Sequence, residues 1–390
     1  PLILSAETDS AALARIYREA LELAAQLEEG PDFVIEHQRT HIRITDAGKK
    51  RLAELASGKR GLWTGPNRRE ELAKQALSAL HLFRRDTQYL VVEGKVQIVD
   101  EFTGRVMPDR SWERGLHQMI EVKEGCELTG QRETLARISY QRFFRRYLRL
   151  AGMTGTAKEI SGELWAVYRL KVMRVPTRKP VQRRIEPLAI FQTQAEKWQA
   201  VMASIRREHD KGRPVLVGTR SVVASETLSA LLTEAGLAHR LLNARQDKEE
   251  AEIVAEAGQA GRITVATNMA GRGTDIKLAP ECLAAGGLHV IVTELSEAGR
   301  VDRQLFGRCA RQGDPGSCEI FAAYDDELIS RYASLAPGIA GKAPGKDLTG
   351  PALFKFAQRR AERIHAMMRQ EVLEMDDYLG DLLAFAGRAE

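Results

Sequence analysis

The feature that most constrains this fold is an alternation of strand and helix patterns between about residues 190 and 326. Short apolar runs rich in β-branched residues predict strands, and the longer segments between them have the periodicity of amphipathic helices. Such alternation requires a parallel sheet with helices on both faces, and sheets of this kind bind ligands at the carboxyl ends of their strands. The predicted strands are 214–219, 239–243, 262–267, 288–293 and 318–324, and the predicted helices are 194–209, 221–235, 247–258 and 297–306.

The first hundred residues have a different pattern, which predicts a small α+β unit. Helical periodicity alternates there with short strand-like runs, and Thr45 stands where an N-cap would begin a helix. The predicted elements are helices over 11–29, 49–55 and 69–83, two strands within 33–44, and a β-hairpin over 88–100.

Residues 132–150 predict a helix with an unusual number of positive charges. Two interpretations stay open: the arginines pair with acids on a solvated face, or they contact phosphate or anionic lipid. The arginines concerned are Arg137, Arg142, Arg145, Arg146 and Arg149.

A linker rich in Gly, Pro, Ala and Lys is predicted over 337–351, and a single long helix over 353–385 follows it. At the rise of an α-helix this element would be roughly 50 Å long. That exceeds the usual length of a helix within a domain, so we expect it to pack lengthwise as a strut.

Composition excludes several classes of protein. The 390 residues suggest two or three domains, and 44% hydrophobic with 28% charged residues is ordinary for a soluble globular chain. No apolar stretch is long enough to span a bilayer, and the N-terminus lacks the pattern of a signal peptide. The four cysteines form no C-x-x-C pair, so we expect a reducing compartment, no disulfide framework and no metal site. The chain starts at proline rather than methionine, which suggests a fragment or a processed product.

The first candidate site follows the third predicted strand of the βα region, in the segment TNMAGRGTD at 267–275. A strand that leads into a glycine-bearing loop lets backbone N–H groups approach phosphate oxygens. An arginine and an aspartate there can hold phosphate and a ribose or a partner arginine. A tight turn without a ligand explains the two glycines equally well. The candidate residues are Gly271, Arg272, Gly273 and Asp275.

The second candidate site is the segment QLFGRCARQGD at 304–314. Arg308 and Arg311 are three residues apart, so on a helix they would project from one face. Two adjacent guanidinium groups repel each other unless an anion lies between them, and phosphoryl transfer uses arginines of this kind. The alternative is a pair of surface arginines that each have an acidic partner.

Together with further segments, these two sites resemble the SecA family of preprotein translocase ATPases. The resemblance runs in order from Leu2 to about Asp377. Besides the two sites, its segments are VDEFTGR at 99–105, GLHQ at 115–118, VKEG at 122–125, LAGMTGTA at 150–157, PVLVGT at 214–219, LNA at 242–244, GGLH at 286–289 and GDPGS at 313–317.

The resemblance implies an α/β fold: a RecA-like parallel-sheet domain of the P-loop NTPase and superfamily 2 helicase type, a small α+β insertion domain and a long C-terminal scaffold helix. It assigns four parts to the chain. They are 7–95, like the preprotein-crosslinking domain; 96–172, like the last part of the first nucleotide-binding domain; 173–327, like the second nucleotide-binding domain; and 328–390, like the linker and the start of the scaffold.

The resemblance also implies a role for each candidate residue. Arg308 and Arg311 would be the catalytic finger and sensor arginines, and Arg272 would support the γ-phosphate side. Asp275 and Gln304 would contribute to nucleotide binding, as would Gly271 and Gly273. The cofactor would be ATP or ADP with Mg²⁺, held in a cleft between two RecA-like domains.

By the same resemblance, the partners would be preprotein substrates, the Sec translocon channel and, peripherally, anionic membrane lipids. A homodimer is an option, and no specific nucleic acid is expected. The protein would be cytoplasmic and peripherally associated with the inner membrane. ATP hydrolysis by the complete protein would move preproteins through the Sec channel.

The sequence also departs from the family pattern. No G-x-x-x-x-G-K-[ST] segment occurs, so nothing in this chain would cradle the β-phosphate. We therefore expect a divergent or truncated member without the Walker A and Walker B half, inactive by itself. Phe306 stands where a basic residue is usual, and Cys309-Ala310 replace a Ser-Gly pair.

Two other functions stay open at this point. A superfamily 2 nucleic-acid helicase would share the arginine segment, although no aromatic platform for base stacking is evident. A non-catalytic homologue that binds peptide is the other alternative.

Overall fold

The strand and helix patterns separate into two units in the computed structural model. It describes residues 2–8, 11–36, 41–100, 106–107, 110–242, 250–267, 275–333 and 349–386. The small unit consists of Ile3–Glu101 and Val106–Arg137, and the sheet unit consists mainly of Ile138–Glu390.

The small unit is the α+β unit that the sequence predicts. Helices α1, α3 and α4 pack around a core that includes Phe33, Leu77 and Met119, all fully buried. Strands β2 and β3 pair antiparallel, as do β4, β5 and β6, while β1 pairs with β7. The elements are β1 (Leu2–Thr8), α1 (Ala11–Ala24), β2 (Phe33–Glu36), β3 (His41–Ile44), α2 (Asp46–Leu55), α3 (Pro66–His81), β4 (Tyr89–Val92), β5 (Lys95–Val99), β6 (Val106–Met107), α4 (Leu116–Glu124) and β7 (Gln131–Ile138).

The predicted N-cap at Thr45 is confirmed. Its hydroxyl accepts a hydrogen bond from the Gly48 amide at 3.0 Å, which satisfies one of the amides that a helix leaves unpaired in its first turn. The same hydroxyl donates to the Pro31 carbonyl at 2.6 Å, which ties the start of α2 to the turn before β2.

The prediction of one helix over 132–150 is wrong. Residues 131–138 form strand β7, and a short helix, α5 (Tyr140–Phe144), follows it. The pairing of β7 with β1 supplies backbone hydrogen bonds that local helix propensity cannot anticipate. Ser139 then caps α5 by accepting from the Arg142 amide at 3.2 Å, so the helix begins only there.

Two of the arginines in this segment have partners on the long C-terminal helix. Arg142 donates to the Asp376 carbonyl at 2.5 Å, and Arg145 lies 3.4 Å from the Asp377 carboxylate. For Arg145 the structure therefore agrees with the interpretation of a solvated arginine paired with an acid.

The sheet unit has the predicted βα architecture. Its described strands form a parallel sheet in the order β11-β12-β10-β13-β14-β8, and β9 pairs with the end of β14. Its elements after α5 are α6 (Ser161–Tyr168), β8 (Gln182–Ile185), β9 (Ala189–Phe191), α7 (Gln194–His209), β10 (Val215–Thr219), α8 (Val222–Glu234), β11 (His239–Leu242), α9 (Glu250–Glu256), β12 (Ile263–Thr267), α10 (Pro280–Ala284), β13 (Leu288–Val292), α11 (Gly299–Phe306), β14 (Pro315–Ala323), α12 (Glu327–Tyr332) and α13 (Thr349–Ala386).

Helices cover both faces of this sheet, as the alternation requires. On one face, Val217 packs in a cluster with Ile205 of α7 and Leu228 of α8. On the other face, Val290 packs with side chains of α9 and α11, including Phe306. Because both faces are covered, every residue of β10, β12 and β13 is buried, and most of these residues are apolar.

Helix α13 spans 38 residues, roughly 57 Å at the rise of an α-helix. Its first turns pack on the sheet unit, where Phe354, Ala357 and Ala361 are buried with Leu328 and Tyr332 of α12. Residues 337–348 of the predicted linker lie outside the described residues, and its last three residues belong to α13. None of the described helices is both long enough and apolar enough to cross a bilayer.

Two glycines differ in how closely they are packed, although both have left-handed backbone. Replacing each by alanine therefore distinguishes the cost of the backbone conformation from the cost of a steric clash. Gly287 (φ +73°) and Gly236 (φ +69°) both have left-handed backbone, but a Cβ at Gly287 would lie 2.0 Å from the Pro315 carbonyl oxygen. At Gly236 it would meet nothing within 4 Å. We expect Gly236→Ala to lower the free energy of unfolding by about 1 kcal/mol, and Gly287→Ala to lower it by about 3 kcal/mol or more. Urea denaturation measures both, and equal losses would contradict the proposed clash.

Candidate functional site

The two predicted sites meet through an ion pair. Asp275 follows β12 after the segment 268–274, and Arg311 lies between α11 and β14. An Arg311 Nη1 proton is donated to Asp275 Oδ1 at 2.7 Å, and Nε donates to the Gly307 carbonyl at 2.9 Å. The guanidinium is therefore oriented by one carbonyl and one carboxylate.

Three other predicted residues, Gly271, Arg272 and Gly273, lie outside the described residues.

Arg308 and Arg311 do not lie on a helix, so the condition under which their spacing would set them on one face is not met. Helix α11 ends at Phe306, and the residues after it form a segment that we call the arginine turn (307–314). Ala310 and Gln312 both have a φ of 54° within this turn. Left-handed backbone at two non-glycine residues cannot continue a helix, so it takes the two arginines out of helical register.

The arginine turn also lies away from the edge where a βα pattern places ligands. It leads into the amino end of β14, whereas α11 starts from the carboxyl end of β13. The carboxyl ends of β10 and β13 are instead followed by Arg220 and Glu294.

The backbone of the arginine turn is held by polar contacts and by close packing. Arg183, from β8, donates two hydrogen bonds to the Cys309 carbonyl, at 2.8 and 3.3 Å. The Asp314 amide donates to the Arg311 carbonyl at 2.9 Å. At Gly316 a Cβ would lie 2.8 Å from the Ala310 nitrogen, so only glycine allows β14 to approach the turn so closely.

Gln304 and Arg303 connect α11 to the segment before β8. The Gln304 amide group donates to Thr156 Oγ1 at 3.4 Å, and Arg303 forms an ion pair with Glu159. Gln304 Oε1 is buried and has no hydrogen-bond partner. Because unsatisfied buried acceptors are rare in folded proteins, this oxygen is available to a donor that enters the site.

A buried polar network fixes the start of α11, and the sequence analysis did not find it. Asp302 accepts hydrogen bonds from the Ser296 amide at 2.8 Å and from the Gln358 amide group at 2.7 Å. Glu362 accepts from the Gly299 amide at 2.9 Å. Gln358 and Glu362 are one turn apart on α13, so the long helix holds both the loop before α11 and its first turn.

Burial raises the pKa of Asp302 to about 6, although the hydrogen bonds from Ser296 and Gln358 and the charge of Arg220 act in the opposite direction. The carboxyl group therefore changes charge close to neutral pH. The sequence signal that could have identified it is an acidic residue on the apolar face of a short predicted helix.

A second network lies at the carboxyl ends of β10 and β13. Arg220 lies 3.5 Å from Glu294 and 3.9 Å from Glu297, and His365 of α13 lies 3.3 Å from Glu297. Burial would lower the pKa of Arg220, but the surrounding carboxylates outweigh it and raise that pKa. Burial raises the pKa of Glu294. Charged groups thus occupy the edge at which a ligand was expected, and they join it to α13.

The accessible chemistry of the site lies at the Asp275–Arg311 pair. The Arg311 side chain is 34% exposed and the Asp275 side chain 56%, so solvent reaches both. A guanidinium in this position can bind phosphate oxygens with two donors once it exchanges its carboxylate partner. Within the described part of the chain, no cluster of His, Cys, Asp and Glu residues could hold a metal ion.

Two family models match this chain. The SecA P-loop domain matches residues 180–283 and 279–336, and the SecA preprotein cross-linking domain matches residues 13–121. A protein translocase subunit SecA 2 from Nitrosospira multiformis is 50% identical over 395 residues, which cover 100% of this chain and 59% of the relative. The chain belongs to the SecA family.

Other SecA proteins show the same relation. Protein translocase subunit SecA 3 from Magnetococcus marinus is 48% identical over 100% of the chain and 60% of its own length. Protein translocase subunit SecA from Thermotoga maritima is 42% identical over 97% of the chain and 44% of its own length. This SecA chain therefore spans less than two thirds of the curated relatives it matches.

A comparison of folds also finds a structure of the E. coli DEAD-box protein SrmB bound to regulator of ribonuclease activity A. It aligns with 39% of this chain and 83% of its own, at 21% identity and a TM-score of 0.31. An alignment at that level says nothing about what this SecA chain does.

The Asp302 carboxyl group should give the stability of this SecA chain a specific pH dependence. An unfolded aspartate has a pKa of about 3.9, so between that value and about 6 only the folded state keeps the proton. We expect the stability of the wild type relative to Asp302→Asn to decrease by about 1–3 kcal/mol as pH rises through this window, and to level off above it. Urea denaturation over this pH range, with the exposed Asp210→Asn as control, measures the difference. A difference that increases with pH would contradict it.

Proposed function

We propose that this SecA chain is part of an ATP-driven motor that moves preproteins through the Sec channel. In this proposal ATP is bound between two RecA-like domains, and the chain supplies the side of the site that carries the arginines. The observation that supports this most directly is the ion pair of Asp275 with Arg311, which joins two segments that are 36 residues apart.

The residues described here fit one side of a nucleotide site. A solvent-accessible guanidinium can contact phosphate oxygens, and the buried, unpaired Gln304 Oε1 can accept a hydrogen bond. We assign Arg308 and Arg311 as catalytic residues. Asp275 and Gln304 are assigned to nucleotide binding, together with Arg272, Gly271 and Gly273.

The chemistry of such a site depends on charge neutralisation. Bound ATP with Mg²⁺ supplies a γ-phosphoryl group whose negative charge is redistributed over its oxygens during transfer. Arg308 and Arg311 neutralise that charge, and Asp275 keeps Arg311 in place before nucleotide binds. No G-x-x-x-x-G-K-[ST] segment occurs in these 390 residues, so the β-phosphate must be held by other residues.

We propose that the chain consists of four parts with different roles. Residues 7–95 act as the preprotein-crosslinking domain, 96–172 complete the first nucleotide-binding domain, 173–327 form the second, and 328–390 begin the scaffold. The proposed partners are preproteins, the Sec channel, anionic lipids and a second copy of the protein. The proposed location is the cytoplasm, in peripheral contact with the inner membrane.

The small unit supports this proposal over a nucleic-acid helicase. Its match to the SecA preprotein cross-linking domain covers residues 13–121, more than a quarter of the chain, and a helicase has no use for such a domain. Salt-dependent binding of single-stranded RNA at low salt would favour the helicase.

The pure 390-residue chain should hydrolyse no ATP above background. A longer form that adds a glycine-rich phosphate loop and its acidic partner should hydrolyse ATP, because both sides of the phosphates are then bound. A phosphate-release assay with Mg²⁺ measures both proteins. Mg²⁺-dependent hydrolysis by the short chain would refute the proposal that it supplies only one side of the nucleotide site. Inactivity of both forms would favour a non-catalytic homologue.

In the longer form, Arg308→Ala and Arg311→Ala should each lower the turnover number by about 100-fold or more, and they should change nucleotide affinity far less. The reason is that the guanidinium acts mainly on charge that develops during transfer. The control is Arg240→Ala, an exposed arginine of β11 paired with Glu256. Turnover assays and equilibrium binding of a fluorescent ATP analogue measure the two effects. Parallel losses of affinity and turnover would contradict the assigned role.

A further inference from the structure

Two buried cysteines lie against each other beneath the arginine turn. Cys309 and Cys318 are 1% and 0% exposed, and their sulfur atoms are 3.3 Å apart. A disulfide bond has a sulfur–sulfur distance of about 2.05 Å, so the two atoms need to approach by about 1.3 Å. A rotation of the side chains with a small shift of the turn can supply such a movement.

Among its hydrogen-bond contacts, each sulfur lies nearest to the other. Cys309 Sγ lies 3.4 Å from the Phe306 carbonyl and 3.7 Å from the Ser317 carbonyl, and Cys318 Sγ lies 3.9 Å from the Phe306 carbonyl. No stronger partner competes for either sulfur among these contacts.

The surroundings of the two thiols shift their pKa values in opposite directions. The hydrogen bond from the Cys318 thiol lowers the pKa of Cys309 to about 7, and the nearby Arg183 guanidinium adds to this against the opposing effect of burial. The pKa of Cys318 is raised, first by its hydrogen bond to Cys309 and then by burial. Cys309 is thus the more acidic thiol and the better nucleophile of the two, and Cys318 is the protonated partner.

We propose that Cys309 and Cys318 form an oxidation site, at which a small peroxide converts the two thiols into an intrachain disulfide bond. The proposal does not depend on the nucleotide chemistry proposed above.

The reaction balances with hydrogen peroxide as the oxidant. The Cys309 thiolate attacks one peroxide oxygen and the O–O bond breaks, which converts Cys309 into a sulfenic acid and releases hydroxide. The hydroxide takes up the proton that the Cys309 thiol had lost and becomes the first water. The Cys318 sulfur then attacks the Cys309 sulfur, the S–O bond breaks, and a second water leaves with the Cys318 proton. In total, two thiols lose two electrons and two protons, and one peroxide becomes two waters.

The bond would fix the arginine turn to the sheet. Cys318 lies in β14, which pairs with β13 and β8, whereas Cys309 lies in the turn between Arg308 and Arg311. The oxidised turn should therefore open less often, and we expect its backbone amides to exchange hydrogen more slowly than in the reduced protein.

The experiment treats the folded chain with hydrogen peroxide, blocks remaining thiols with iodoacetamide, and maps tryptic peptides with and without reduction. Trypsin cuts after Arg308, Arg311 and Arg331, so the bond would join the peptide 309–311 to the peptide 312–331. We expect this linked pair in the wild type, with a loss of two hydrogens, and its disappearance on reduction.

The matched control is Cys282→Ser. Cys282 is also fully buried, but its thiol donates to the Gly258 carbonyl and burial raises its pKa. The linked pair should persist in Cys282→Ser and be lost in Cys309→Ser and Cys318→Ser. If the wild type instead yields Cys309 and Cys318 alkylated separately while Cys126 is oxidised, the proposal is wrong. This result needs no variant, so it stands even if a substitution prevents folding.

Discussion

The parallel pairing of β13 with β14 is the constraint on which the candidate site depends. Two neighbouring parallel strands need a connection that returns along the sheet, and α11 with the arginine turn forms that return. The register fixes where the turn ends, because Leu288 lies opposite Gly316. Gly316 in turn leaves room for the Ala310 backbone. The position of Arg311 beside Asp275 thus follows from strand pairing as well as from the ion pair itself.

The long helix is joined to the same connection by polar groups rather than by apolar packing alone. Gln358 and Glu362 bind the loop before α11 and its first turn, and His365 lies beside Glu297. Buried polar contacts of this kind require particular positions of both elements, since a shift of one turn would leave several groups unpaired. These hydrogen bonds join α13 to the start of α11, and α11 carries Gln304 and leads into the arginine turn.

Much of the fold could be predicted because hydrophobic periodicity is a local property. The helix over 194–209 and the hairpin within 88–100 have the predicted positions, since their patterns already indicate which faces are buried. Residues 132–150 could not be predicted in this way, because β7 owes its conformation to pairing with β1, more than 120 residues away in the sequence. The short strands β8 and β9 were missed for the same reason: their hydrogen bonds come from β14.

The sequence by itself determined the parallel α/β class, the SecA resemblance and the residues of both candidate segments, because those depend on residue types and their spacing. Only the tertiary structure decided how the segments meet. It placed Arg311 beside Asp275 and brought Gln358 to Asp302 across 56 residues. Contacts between distant residues depend on strand register and helix packing, and neither is encoded in the residues nearby.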